Sequence, residues 1–108
     1  MSFEVVLTAG AAADLIDLAD WIASHDSPAK AAHVVDRIEA AFSALARFPL
    51  RGAYPRELLA LGVREYRETS FKPYRIVYRV DTGRVFVELI ADGRRDLQEL
   101  LARRLLGA

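Results

Sequence analysis

Residues 74–91, YRIVYRVDTGRVFVELIA, constrain the fold more than any other stretch of the chain. Apolar and polar residues alternate, the pattern breaks at Thr82-Gly83, and alternation resumes. That is a β-hairpin: glycine tolerates the positive φ of a two-residue turn, and a period of two places one set of side chains on each face. The expected register sets Val80 opposite Val85, Tyr78 opposite Val87 and Ile76 opposite Leu89, all apolar pairs. The other face then carries Arg75, Val77, Arg79, Phe86, Glu88 and Ile90. A slip of one residue would drive Arg75 and Arg79 into the core, so the register is well specified.

The remaining elements follow from their own patterns. Residues 3–7, FEVVL, read as a first strand. Thr8 caps a helix over 9–25, whose apolar face is Ala11, Leu15, Leu18 and Ile22; Asp14 and Asp17 lie opposite, and Trp21 sits at the edge. Ser27-Pro28 opens a second helix over 28–47, with Ala31, Val34, Val35, Ile38, Phe42 and Leu45 as its buried stripe. The short link at His25-Asp26 makes the two helices an antiparallel hairpin. Residues 48–62 hold two prolines and two glycines and read as a long loop with one helical turn near Leu58. VREYRE, 63–68, reads as a strand. Asp96, followed three residues on by Glu99, has the pattern of a capping box for a last helix carrying Leu97, Leu100, Leu101 and Leu105. The order strand, two helices, three strands, helix predicts an α+β domain. An N-terminal strand and a helical hairpin pack on a small, mainly antiparallel sheet, and a short C-terminal helix follows.

At 108 residues the chain reads as one domain over 1–108, long enough to bury a single core. It has no cysteine, which excludes disulfides and thiolate metal sites. The N-terminal MSFEVVLTAG lacks the basic segment and long apolar run of a signal peptide, and no stretch approaches a membrane span, so a cytoplasmic protein is expected. Net charge is zero but polarised. Residues 1–46 hold two basic and seven acidic residues, and residues 47–108 hold thirteen basic and eight acidic, with Lys72 the one lysine there. Arginine makes rigid bidentate contacts with phosphate or carboxylate, so two faces for two kinds of partner are expected.

In this order, several words are similar to the RelE/ParE toxin superfamily of bacterial type II toxin–antitoxin modules. They are VVLTAGAAADLIDLADWI, SPAKAAHVVDRIEAAFSALARFPLRG, VREY, YRIVYRV and GRRD, spanning residues 3 to 96. One departure is Asp92, where the family often has a histidine before Gly-Arg-Arg-Asp. The resemblance implies one of two activities. RelE-like members are ribosome-dependent mRNA endonucleases; ParE-like members poison DNA gyrase. Both are neutralised by an antitoxin whose C-terminal segment wraps the toxin.

Metal-free RNA cleavage needs a base for the 2′-hydroxyl, cations for the phosphorane and an acid for the leaving oxygen. The resemblance places the family's two arginines at Arg75 and Arg95. It places the family's lysines at Tyr66 and Glu68, and its C-terminal tyrosine near Leu101, where this chain has no such groups. His25 and His33 read as surface residues away from the sheet. A metal site from Glu88, Asp92 and Asp96 is disfavoured by the adjacent Arg94 and Arg95. No metal or cofactor is expected, and a binding protein is favoured over an enzyme.

The expected function is therefore a ParE-like toxin that inhibits DNA gyrase. A RelE-like mRNA endonuclease using Arg75 and Arg95, or a non-toxic remnant that only binds its antitoxin, is the alternative. Arg67, Arg75, Arg79, Arg94 and Arg95 are the candidate target- or anion-binding residues; ion pairs with Glu65, Glu68 and Glu88 are the plainer use for them. Arg75 and Arg95 are expected side by side if the second hairpin strand ends near Ala91 and the chain turns at Gly93. Trp21, Phe86, Ile90, Leu97 and Leu101 are the candidate antitoxin contacts, with acidic antitoxin residues meeting the basic half. The expected partners are a cognate antitoxin and gyrase, or the ribosome and mRNA in the alternative, with a homodimer or a toxin–antitoxin hetero-oligomer as the assembly and no membrane.

Overall fold

A computed structural model describes residues 2–107. Strand β1 (Glu4–Leu7) leads into α1 (Ala9–His25) and α2 (Pro28–Ser43), which ends in a 3₁₀ turn, Ala44–Ala46. A loop carrying the single-turn helix α3 (Arg56–Leu59) leads to β2 (Arg67–Phe71), β3 (Tyr74–Asp81) and β4 (Arg84–Asp92), and α4 (Gln98–Leu106) follows. The sheet order is β1-β4-β3-β2. β1 runs parallel to β4, and the other two pairs are antiparallel.

The helix starts are side-chain caps. Thr8 Oγ1 accepts from Ala11 N at 3.2 Å and Ser27 Oγ from Lys30 N at 3.0 Å, satisfying donors that a helix leaves orphaned. The start of α4 differs from the capping box: Asp96 Oδ1 accepts from Gln98 N at 3.1 Å and Leu97 takes the cap position, without a Glu99 partner.

The hairpin register holds at Val80↔Val85 and Tyr78↔Val87, then shifts at a β-bulge between Val77 and Tyr78. Beyond it Val77 faces Leu89 and Ile76 faces Ile90, so the expected Ile76–Leu89 pair does not form. Glu88 is the extra residue, and such an insertion reverses which face the following side chains occupy. Ile90 consequently joins the helical-hairpin core with Ile76, Tyr78, Val85 and Val87. Leu89 and Ala91 turn to the opposite face.

That opposite face is a second core. Leu58, Val77, Leu89, Ala91, Leu97 and Leu101 are buried together, with Val63, Tyr66, Leu100 and Leu105 packed around them. α3 and α4 thus cover one side of the sheet and α1–α2 the other. Full burial of each leucine stabilises by roughly 1.5–3 kcal/mol, which explains why so leucine-rich a helix docks on its own sheet.

The strand expected at 63–68 lies later, at Arg67–Phe71. A two-residue connection fixes Phe71 opposite Tyr74 and carries the pairing back to Arg67 opposite Tyr78. Residues 63–66 instead form an irregular stretch in which Val63 and Tyr66 pack on the second core, Arg64 and Glu65 stay exposed, and Val63 N donates to Leu58 O at 2.9 Å.

Candidate functional site

Two depressions flank β4. The first lies between α1 and the C-terminal half of β4. Asp14, Asp17, Leu18 and Trp21 recur at three- and four-residue spacing and form one wall; Ile90, Ala91, Asp92 and Arg95 form the other, around about 470 Å³. The groove exists because β1 stops at Leu7, opposite Val87, while β4 continues to Asp92. Its floor, Ile90, is buried, whereas Trp21 stands 58% exposed at the rim. His25 stacks on Trp21 with ring centroids 4.2 Å apart.

The part of the β4 edge that β1 leaves bare is covered by side chains. Asp14 Oδ2 accepts from Ile90 N at 3.0 Å, and Arg104 Nη2 donates to Glu88 O at 3.0 Å. Arg104 also makes a two-point pair with Asp14, at 3.0 and 3.1 Å. A Cβ on Gly10 would come within 2.6 Å of Arg104 Nη2, so the small residue on α1 leaves room for the guanidinium.

The second depression, about 510 Å³, opens where β2, β3 and the turn after β4 meet, with Arg56, Lys72, Arg75 and Arg94 among its lining. Arg75 occupies it but is already held. Its Nη1 and Nη2 donate to Glu57 at 2.6 and 2.8 Å, and its Nε donates to Glu68 at 2.7 Å. The side chains of Arg75 and Glu57 are only 11% and 10% exposed. The hydrogen bonds from Arg75 hold the Glu57 carboxyl below its usual range, and the same pair raises Arg75. Gly93 admits this arrangement, because a Cβ there would meet Pro73 O at 2.6 Å and Arg75 Cδ at 2.8 Å.

Arg75 and Arg95 do not line one site: Arg95 borders the α1–β4 groove, and Arg94 shares the depression with Arg75. Arg94 pairs with Asp92 at 2.6 Å, which holds that carboxyl below its usual range. Arg79 donates to Glu88 at 2.6 Å and lies 4.3 Å over the Phe86 ring. Arg67 donates to Gly52 O at 2.9 Å and to the Tyr54 hydroxyl at 3.3 Å. Leu97 and Leu101, expected on the antitoxin surface, are 1% and 0% exposed, because α4 turns them onto Val77 and Leu89. Among Glu88, Asp92 and Asp96, each has a local role: two pair with arginines and the third accepts from Gln98 N just before α4. His33 is not remote from the sheet; its ring meets Phe71 edge-on at 6.2 Å.

At the positions that RNA cleavage would use, Tyr66 donates its hydroxyl to Leu105 O at 3.3 Å, burial raises its pKa, and Glu68 faces Arg75. Sequence reasoning missed Glu57, Asp14 and Arg104. Glu57 sits in a loop without periodicity. Asp14 and Arg104 share their helices with other charges, Asp17 and Asp20 on α1 and Glu99 and Arg103 on α4, so nothing local singles them out.

The family model described as ParE toxin of type II toxin-antitoxin system, parDE, matches residues 5–97. A chain of the chromosomal ParDE TA system from P. aeruginosa is similar in structure, with a TM-score of 0.71 and 22% identity, over 84% of this chain and 96% of that one. A chain of the toxin-antitoxin complex RelBE2 from Mycobacterium tuberculosis is similar with a TM-score of 0.58 and 25% identity, over 85% of this chain and 99% of that one. No curated protein matches.

Proposed function

Because the chain belongs to the ParE toxin family of type II toxin–antitoxin systems, we propose that it acts by binding and not by bond cleavage. It inhibits DNA gyrase in the cytoplasm through a protein contact and is itself held by a cognate antitoxin. The observation that carries this reading is the carboxylate clamp on Arg75. All three nitrogens of that guanidinium donate to Glu57 and Glu68. A scissile phosphate would have to displace two carboxylates at the one arginine of β3 best placed to receive it. Nearby, Glu68 is ion-paired and the Tyr66 hydroxyl bonds to Leu105 O, so neither is set up as the base or acid that supplies proton transfer, a step worth about 10²–10⁴-fold in rate.

The antitoxin segment lies in the α1–β4 groove, with Trp21 as its exposed wall and Ile90 as its floor. An aromatic face beside an apolar floor is the usual anchor site for a docked segment. Asp14 and Asp92 are already paired with Arg104 and Arg94, so Asp17 is the groove carboxylate to which the segment brings a basic residue.

The experiment uses the purified, antitoxin-free toxin in two assays: DNA supercoiling by gyrase, and mapping of mRNA ends on translating ribosomes. Expected are loss of supercoiling, its restoration by antitoxin, and intact mRNA. Codon-positioned cuts that vanish in the Arg75→Ala/Arg95→Ala variant would establish an endonuclease instead. Antitoxin binding with neither effect would leave a non-toxic remnant.

A further inference from the structure

The loop joining the helical hairpin to β2 displays a surface that neither depression uses. Residues 47–67 contain five arginines against two glutamates, and one of those, Glu57, is committed to Arg75. Among the described residues, Arg47, Arg51, Arg64 and Arg67 make no ion pair, although most other arginines of β3, β4 and α4 do. Arg47 and Arg51 lie 5.9 and 5.8 Å from the centroid of Phe48, which is 55% exposed. Two residues on, Leu50 is 62% exposed and shares a depression of about 300 Å³ with Arg64, Arg67, Val80 and the single carboxylate Glu65.

This surface is preformed. The buried Tyr78 hydroxyl accepts from Gly52 N at 3.0 Å, Ala53 makes a β-bridge with Glu68, and Arg67 holds Gly52 O. A Cβ at position 52 would lie 2.4 Å from Glu68 O, so the loop is pressed against β2. A loop pinned this way loses little freedom on binding.

The geometry points to this face as a docking surface for an acidic, amphipathic protein segment. Unpaired guanidiniums select carboxylate or phosphate, and Phe48 and Leu50 decide between them. An acidic helix offers aliphatic side chains to cover both residues; a nucleic-acid backbone offers none to Leu50. The chain's zero net charge likewise disfavours a nucleic-acid surface. The surface is separate from the Trp21 groove, so the assignment stands wherever the antitoxin sits.

The test is fluorescence anisotropy on the full chain with three labelled probes. One is an amphipathic helical peptide of leucine and glutamate; one is the same peptide with glutamine for glutamate; one is oligothymidylate of equal charge. The acidic peptide is expected to bind about tenfold or more tightly than either other probe, and to weaken as salt rises. The Arg47→Glu/Arg51→Glu variant should lose about tenfold or more in affinity for it, while Arg103→Glu on α4 retains it. Circular dichroism verifies folding, and Arg51→Gln provides a milder variant with a smaller loss. No binding of the acidic peptide, equal loss in Arg103→Glu, or an undiminished double variant overturns the assignment. Tighter binding of oligothymidylate makes the face a nucleic-acid surface.

Discussion

Asp14 and Arg104 are ninety residues apart and meet at the edge of β4, where they take the place of a missing strand. The carboxylate accepts the Ile90 N–H and the guanidinium donates to the Glu88 carbonyl, so the backbone that β1 does not reach still has partners. An open edge invites other chains to pair with it, and here two charged side chains close it. Both are largely shielded, with 19% and 27% exposure. Asp14→Ala, which orphans the Ile90 N–H, is expected to destabilise the fold by about 1–3 kcal/mol. Arg104→Ala should cost a similar amount, and a double-mutant cycle by urea unfolding should show the two costs to be strongly non-additive. Additive costs would mean that the pair does not act as a unit.

Tyr78 tests the anchoring of the arginine loop. Tyr78→Phe removes the acceptor for the buried Gly52 N–H at almost unchanged shape. The expected loss is about 1–3 kcal/mol in unfolding free energy, with faster amide exchange confined to residues around Gly52. Unchanged exchange there would show that the loop is held by other contacts.

The Arg75 clamp predicts an acid dependence. Glu57 lies below its ordinary 4.5 because Arg75 hydrogen-bonds to it. A carboxyl with a depressed folded value adds stability above its unfolded value, and that stability disappears as the pH falls through the folded value. Unfolding midpoints should therefore drop as the pH falls below Glu57's ordinary 4.5, and Glu57→Gln should flatten that slope while lowering stability at neutral pH. A variant with the parent's slope would remove Glu57 as its source.

Trp21 separates binding from folding. With its ring more than half exposed, Trp21→Ala should change stability by no more than about 0.5 kcal/mol. Antitoxin affinity, read by calorimetry, should fall by about 2 kcal/mol. Undiminished affinity would place the antitoxin outside the α1–β4 groove.

Leu101 is the counterpart. Fully buried against Val77 and Leu89, it should cost about 2–5 kcal/mol on replacement by alanine. Deleting residues 97–108 should expose the second core and lower solubility. A truncated chain that stays monomeric and equally stable would contradict this packing.

Much of the architecture is legible because it rests on periodicity and caps. Thr8, Ser27, the stripe from Ala11 to Ile22 and the Thr82-Gly83 turn all have local causes that a sequence displays. The bulge at Glu88 has none: it arises where Val77 and Leu89 both need cover from α4, a contact between distant segments. That one inserted residue moved Ile90 into the helical core and Leu89 out of it. Strand β2 was misplaced for a related reason, since its position is set by the short connection to Tyr74 and not by its own apolar pattern. At the sites, arginines were visible but their partners were not. Glu57 comes to Arg75 from a loop, and Arg94 rather than Arg95 shares its depression, because chain direction after Gly93 depends on the Pro73 and Arg75 contacts.

The pairing of the first strand with the last sets an order of assembly. Among the described residues β1 has its only sheet neighbour in residues 84–87, and α1 receives Arg104 only when α4 is in place. During synthesis the helical hairpin can form early from local contacts, but the sheet it packs on cannot close until β4 has emerged. The Trp21 groove, whose second wall is β4, is thus assembled among the last features of the molecule. A partner that reads this groove meets a finished toxin, and nascent chains pass unrecognised by it.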